Sequence, residues 1–194
     1  MLLPHQYPYR VVLGSASPRR KELMEKMGFD FEVRVKATDE SYPASLPQEE
    51  VAEYIAVKKA AAFSFDELPE KALLVTADTV VLLDGHIFGK PADREEAVRM
   101  LYTLSGQTHR VITGVCLRSR EKQERFSVVS DVTFRVLSLE EIEYYVDKLQ
   151  PYDKAGAYGL QEWIGYVAVE KVEGSFFNVM GLPTQRLYRA MMAF

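Results

Sequence analysis

A chain of 194 residues, 47% apolar and 27% charged, is long enough to bury a core as one domain or as two closely joined lobes. Its net charge of −4 argues against a general nucleic-acid binder, which carries a broad basic surface. One cysteine, Cys116, excludes an internal disulfide and a multi-cysteine metal site.

In chain order, Met1 to Arg10 has two prolines and no long apolar core, so it does not read as a signal peptide. No run approaches the roughly 18 apolar residues of a membrane span. The expected setting is the cytoplasm, with no membrane and no nucleic acid as partner. A strand near Arg10–Leu13 leads into a helix that Ser17 caps, Pro18 opens and Gly28 stops. Phe29–Val35 alternates like a second strand. Thr38 to Leu46 is a polar loop carrying Asp39 and Glu40, and Pro47 to Phe63 is helical, with Lys58 and Lys59 near its end where the macrodipole favours cations. Ala72–Ala77 reads as a buried strand that meets Asp78-Thr79 and resumes as Val80–Leu83. Asp84-Gly85 marks a hairpin to Ile87-Phe88, and Asp93 to Leu104 is a helix stopped by Gly106. Two long strands, Thr108–Arg118 and Glu124–Leu137, follow, joined by a charged turn at Arg120 to Lys122. Ser138 and Glu141 form a capping box for a helix to about Leu149. Gln150 to Gly165 reads as a functional loop, Tyr166–Val172 as a strand and Pro183 to Ala193 as a closing helix. The sum is a mixed α/β fold.

Chemistry concentrates at Gly14-Ser15-Ala16-Ser17-Pro18-Arg19-Arg20. Here two hydroxyls, Ser15 and Ser17, and two guanidinium groups, Arg19 and Arg20, crowd a helix N-terminus at the end of a strand. Unpaired N–H groups, the helix dipole and planar arginine donors together suit phosphate oxygens. With an acidic chain overall, a small phosphorylated ligand fits better than a polymer. Asp78, directly after an apolar strand, stands where α/β proteins place ligands, and its carboxylate can hold a divalent metal or take a proton from water. Asp39 and Glu40 alone read as solvated; with Asp78 they offer the oxygen cluster that Mg²⁺ requires. Lys59 has a dipole reason to exist, whereas Lys90 is held in the constrained turn Gly89-Lys90-Pro91. No P-loop and no GxGxxG is present. His109, leading a strand, reads as a packed or edge residue. In Asp153 to Gln161, two glycines permit close approach to a flat ligand, Tyr158 can stack, and the Gln161 amide can donate and accept as a base edge requires.

Taken together these segments resemble the Maf family of nucleoside triphosphate pyrophosphatases. The resemblance runs from Leu13 to Pro183 and rests on the Gly14–Arg20 motif, Asp39-Glu40, Ala77-Asp78-Thr79-Val80-Val81, Gly89-Lys90-Pro91, Leu104-Ser105-Gly106 with His109, Thr113-Gly114-Val115, Asp153 to Gln161 and Gly181-Leu182-Pro183. It implies an α/β fold of the Maf/ITPase-like kind: a mixed sheet flanked by helices, a deep nucleotide-binding cleft, and commonly a homodimer. It also implies hydrolysis of a nucleoside triphosphate to the monophosphate and pyrophosphate, with a divalent cation, Mg²⁺ or Mn²⁺. On that basis Asp78 is the proton acceptor and shares the metal with Glu40. Ser15, Ser17, Arg19, Arg20, Lys59, Thr79, Lys90 and Gln161 bind substrate, with Arg19, Thr79 and Gln161 linked to its choice. The Asp-Lys-Ala-Gly-Ala-Tyr-Gly form of the late loop looks like the branch acting on dTTP and UTP. Glu162-Trp163 departs from that branch, where many members carry glycine after the glutamine. The family is also linked to septum formation, so the alternative is a nucleotide-binding regulator of cell division without turnover.

Overall fold

The structure, a computed structural model, describes residues 3–194. Seven strands form one mixed sheet: β1 (Arg10–Leu13), β2 (Phe31–Val33), β3 (Ala72–Leu83), β4 (His86–Phe88), β5 (Thr108–Arg118), β6 (Gln123–Phe134) and β7 (Val169–Glu173). The hydrogen-bonded order is β2-β1-β3-β5-β6-β7, with β4 beside β3. β1 pairs parallel with β2 and β3, whereas β4 on β3 and β7 on β6 are antiparallel. The helices are α1 (Pro18–Lys26), α2 (Val51–Ala61), α3 (Arg94–Leu104), α4 (Leu139–Leu149), α5 (Trp163–Ala168), α6 (Phe176–Val179) and α7 (Thr184–Ala193). The chain divides into two compact units. One takes the residues up to Asp78, then 113–128 and 181–194; the other takes 79–112 and 129–180.

In the first unit, α2 lies against the sheet on a stripe of small residues. Ala52, Ala56 and Ala60 recur every four positions and are fully buried. Above them, Gly114 on β5 meets the α2 backbone so closely that an added Cβ would fall 2.2 Å from the Glu53 nitrogen and 2.3 Å from the Ala52 carbonyl carbon. The Thr76 hydroxyl of β3 donates to the Ala56 carbonyl at 2.7 Å, so the helix is pinned as well as packed. Gly114→Ala is therefore expected to destabilise the protein by about 3 kcal/mol, because the clash is with backbone and a whole helix must move. Urea unfolding measures this, and an unchanged midpoint would mean that α2 is free to shift.

The second unit is built on α3 and α4. Asp93 caps α3 by accepting from the Glu96 amide, and Ala97, Met100, Leu101 and Leu104 turn one helical face inward. Ser138 and Glu141 close the expected capping box on α4, which buries Ile142, Tyr145 and Val146. Both faces join a core that includes Val81, Val111 and Phe134. Arg94 holds Asp147 across the two helices, with its Nη2 at 2.9 Å from Oδ2.

Several expectations change. β3 is continuous for 12 residues, so Asp78 lies inside a strand rather than at its carboxyl end. β2 is shorter than Phe29–Val35, and a 3₁₀ turn, Gln48–Glu50, precedes α2. β6 ends at Phe134, after a register shift at Thr133/Phe134; beyond it Arg135 bonds the Val167 carbonyl and the Glu141 carboxylate. The predicted strand Tyr166–Val172 begins as a helix, α5, and becomes β7 at Val169. Its β-branched composition misleads; the burial of Ile164 and Ala168, four apart, has helical spacing, and Tyr166 is exposed. The helix is possible because Gly165 lacks a Cβ, which would lie 1.9 Å from the Leu160 carbonyl oxygen. The short α6 is likewise absent from the sequence reading; Ser175 caps it through the Asn178 amide.

Candidate active site

The motif after β1 folds as its residue types require. Ser17 adopts an extended conformation and caps α1, accepting from the Arg20 amide at 3.4 Å, and Pro18 occupies the first turn. The Ser15 hydroxyl accepts from the Ser17 amide at 3.2 Å and from Arg20 Nη1 at 3.4 Å. Arg20 reaches further: Nε donates to the Gly181 carbonyl and Nη1 to the Ala77 carbonyl, each at 2.8 Å. Burial lowers the Arg20 guanidinium from its ordinary value, the Asp78 and Glu40 carboxylates oppose that shift, and an arginine stays charged through such changes. A scaffold duty thus accompanies the phosphate contact expected of Arg20, since it fixes the residue immediately before Asp78. Replacement by Met should lower stability by about 3 kcal/mol, the worth of two bonds from a charged donor. Turnover should fall with it. A variant with normal unfolding in urea and impaired only in KM would make Arg20 purely a substrate ligand.

Asp78 and Lys59 meet by simple geometry. Thr76 and Asp78 share a face of β3, two residues apart, and Ala56 and Lys59 share a face of α2, three apart. The Thr76–Ala56 bond therefore brings Lys59 over Asp78. Lys59 Nζ lies 2.6 Å from Asp78 Oδ1 and 2.8 Å from Glu40 Oε1. The side chains of Lys59 and Asp78 are 17% and 13% exposed, against 51% for Glu40. The neighbouring pair forms a second clasp. Lys58 Nζ lies 2.8 Å from Asp39 Oδ2 and 2.9 Å from the Ser41 carbonyl. Its hydrogen bond, with those of Ser41, holds the Asp39 carboxyl well below the usual carboxylate range. Two adjacent acids thus meet two adjacent lysines, each with its own partner. Sequence spacing could not divide the pairs: Lys58 serves the loop and Lys59 serves Asp78.

Glu40 and Asp78 both contact the Lys59 ammonium, and the Arg20 guanidinium feels the charge of both. All-oxygen donors of this kind suit a hard divalent ion. Among the described residues no group of three or more His, Cys, Asp or Glu is assembled. The other ligands would be phosphate oxygens and water, as is usual when Mg²⁺ is bound together with a nucleotide.

The remaining predicted residues, Thr79, Lys90 and Gln161, belong to the second unit. Thr79 follows Asp78 on β3. Lys90 is exposed in its turn, which is fixed by the Gly156 amide donating to the Gly89 carbonyl at 3.0 Å. Gly156 has φ +68°, and a Cβ there would press on Val81 at 3.0 Å. The Gln161 Oε1 is buried without a hydrogen-bond partner. His109 is packed, as expected: Nε2 is 2.8 Å from the Tyr158 hydroxyl, the ring stands edge-on to Phe134, and burial lowers its pKa to about 4. It is a neutral core residue, and Tyr158 beside it is fully engaged in that core.

Residues 10–194 match the pattern of Maf-like proteins. The chain belongs to the Maf family. Among curated Maf relatives, a dTTP/UTP pyrophosphatase of Bacteroides thetaiotaomicron is 58% identical over 181 residues, covering 93% of each chain. One from Porphyromonas gingivalis is 53% identical over 195 residues, covering 100% of this chain and 98% of the relative, and one from Flavobacterium psychrophilum is 46% identical over 179. The solved Ham1 protein of Staphylococcus aureus superposes with a TM-score of 0.51 over 95% of this chain and 98% of that one, at 13% identity. That likeness places the Maf chain in the Ham1 fold. Among the described residues no helix is long and apolar enough to cross a membrane.

Proposed function

We propose that this Maf protein hydrolyses dTTP and UTP, and modified pyrimidine triphosphates, to the monophosphate and pyrophosphate. The observation that carries the reading is the Lys59 ammonium held between Asp78 and Glu40, in the unit whose α1 terminus presents Ser15, Ser17 and Arg19. Relatives matching at 46–58% identity are named dTTP/UTP pyrophosphatases, which favours turnover over a purely regulatory role in cell division.

Asp78 takes a proton from water, whose oxygen attacks the α-phosphorus; the bond to the bridging oxygen breaks and pyrophosphate leaves. Arg19, Lys59 and Lys90 stabilise charge on the phosphate oxygens, and Arg20 holds the backbone beside Asp78. Glu40 and Asp78 would hold a divalent ion, which would supply charge neutralisation at the phosphates. Gln161 reads the base. The imide edge of uracil or thymine presents acceptor, donor and acceptor in a row, and an amide pairs with two adjacent members. The buried Oε1 of Gln161 supports that role, since it lacks an acceptor's donor. Thr79 lies on the same unit and is assigned to the same recognition. The working form is a cytoplasmic homodimer.

The test is a panel of nucleoside triphosphates with Mg²⁺, with pyrophosphate separated from orthophosphate. Pyrophosphate from dTTP and UTP ahead of dCTP and the purines is expected. Orthophosphate as the first product, or preference for a purine, overturns the reading.

A further inference from the structure

Glu162, the residue that departs from the branch pattern, sits at the centre of a buried polar network in the second unit. Its Oε1 is 3.0 Å from Lys154 Nζ, and its Oε2 accepts the Tyr145 hydroxyl proton. Lys154 is 8% exposed and also meets Asp153 Oδ1 at 2.7 Å. Tyr145, fully buried on α4, in turn accepts from the Gly159 amide at 3.2 Å. The hydroxyl thus uses its one donor and an acceptor position, both toward the late loop. Burial and the Glu162 bond both push the Tyr145 hydroxyl up, which keeps it a donor. Backbone bonds complete the knot: the Glu162 amide to the Gly159 carbonyl at 3.0 Å, and the Gly165 amide to the Glu162 carbonyl at 2.9 Å. A Cβ at Gly159 would lie 3.0 Å from Glu162 Cδ and 3.1 Å from Lys154 Cε, so the glycine lets both charged chains close over the loop. Gln161 lies inside this knot, between the two residues it ties, and its Oε1 points at no protein donor.

We propose that Glu162 is a specificity-positioning residue: by bridging Lys154 and Tyr145 it locks residues 159–162 and holds the Gln161 amide ready for a pyrimidine imide edge. The inference rests on Gln161 reading the base. A carboxylate is suited to the task because it offers a separate charged oxygen to the ammonium and to the phenol, whereas an amide has one neutral acceptor oxygen and a glycine has none. Leaving Lys154 with one carboxylate and Tyr145 with none would release the loop, and a buried network with one member removed is costly. Preorganisation of this sort changes the capture of substrate rather than the chemistry on phosphorus.

The experiment compares wild type, Glu162→Ala, Tyr145→Phe and Gln161→Ala as full-length proteins. Hydrogen exchange of residues 159–162 is measured together with kcat and KM for UTP and CTP. Glu162→Ala is expected to speed exchange, raise KM for UTP about tenfold with kcat within about twofold, and narrow the preference for UTP over CTP; tenfold corresponds to one strong hydrogen bond. Tyr145→Phe, which keeps the packing, is expected to act in the same direction. Gln161→Ala is expected to narrow the preference while exchange stays slow. Unchanged exchange in Glu162→Ala overturns the proposal. Faster exchange with an unchanged UTP-to-CTP ratio overturns it too, and leaves the base reading standing if Gln161→Ala still narrows that ratio. A ratio that Gln161→Ala leaves unchanged removes the base reading and this proposal together. Should Glu162→Ala fail to fold, Tyr145→Phe decides, and an unaltered ratio there overturns the bridge.

Discussion

Asp78→Asn is expected to lower kcat for UTP by about 10²–10⁴, the range for loss of a general base. The fold should hold, because the change is nearly isosteric and the side-chain oxygen can still accept from Lys59, now 2.6 Å from Oδ1. Lys59 also keeps its second carboxylate, Glu40. Nucleotide capture should persist, since the helix start with Ser15, Ser17 and Arg19 is untouched. What disappears is the negative charge that accepts a proton and shares a cation. Steady-state kinetics with UTP, together with a thermal melt, separate the two effects. Activity near wild type would take Asp78 out of the mechanism and move the base elsewhere.

The parts of the site legible in the sequence were those with local causes. A serine followed by proline at a helix start announces itself through capping chemistry, and the structure builds α1 from Pro18 with Ser17 as its cap. The long strands β5 and β6 and the capped helices α3 and α4 were equally plain, because periodicity and caps act within a few residues. What was not legible depended on neighbours distant in sequence. An acid between two apolar runs looks like a strand end, yet Asp78 stays in the strand because Lys59 answers its charge from α2. Nothing local tells that Arg20 turns to the Ala77 and Gly181 carbonyls, the second of them 161 residues away. Trp163 to Ala168 has strand-like composition, and its helix depends on Gly165 fitting against Leu160. Glu162 stood out in the sequence as a departure. Its meaning emerged only from Lys154 and Tyr145, which the fold brings to it.

Lys59→Met should separate charge balance from catalysis at the same cluster. In the wild type one ammonium stands between two carboxylates, at 2.6 Å from Asp78 and 2.8 Å from Glu40. Met keeps the length of the stem and removes the charge. The two carboxylates then lose the cation in contact with both, Arg20 remains as the neighbouring positive charge, and their mutual repulsion rises in a partly buried site. A divalent ion is the natural answer, so the substrate-free variant should bind Mn²⁺ more tightly than the wild type, by about tenfold or more, the equivalent of 1.4 kcal/mol. Turnover should move the opposite way. Losing a cation that stabilises the phosphate oxygens in the transition state costs on the order of 10²–10³ in kcat. Lys59→Arg keeps the charge but moves it onto a longer, planar head, so it should restore kcat only in part. The pair of readouts is Mn²⁺ affinity by titration and kcat for UTP. Tighter metal with lower turnover identifies Lys59 as a cation that both competes for the acids and serves the reaction. Unchanged metal affinity would mean that Glu40 and Asp78 do not form the metal site, and unchanged kcat would reduce Lys59 to a structural partner of Asp78.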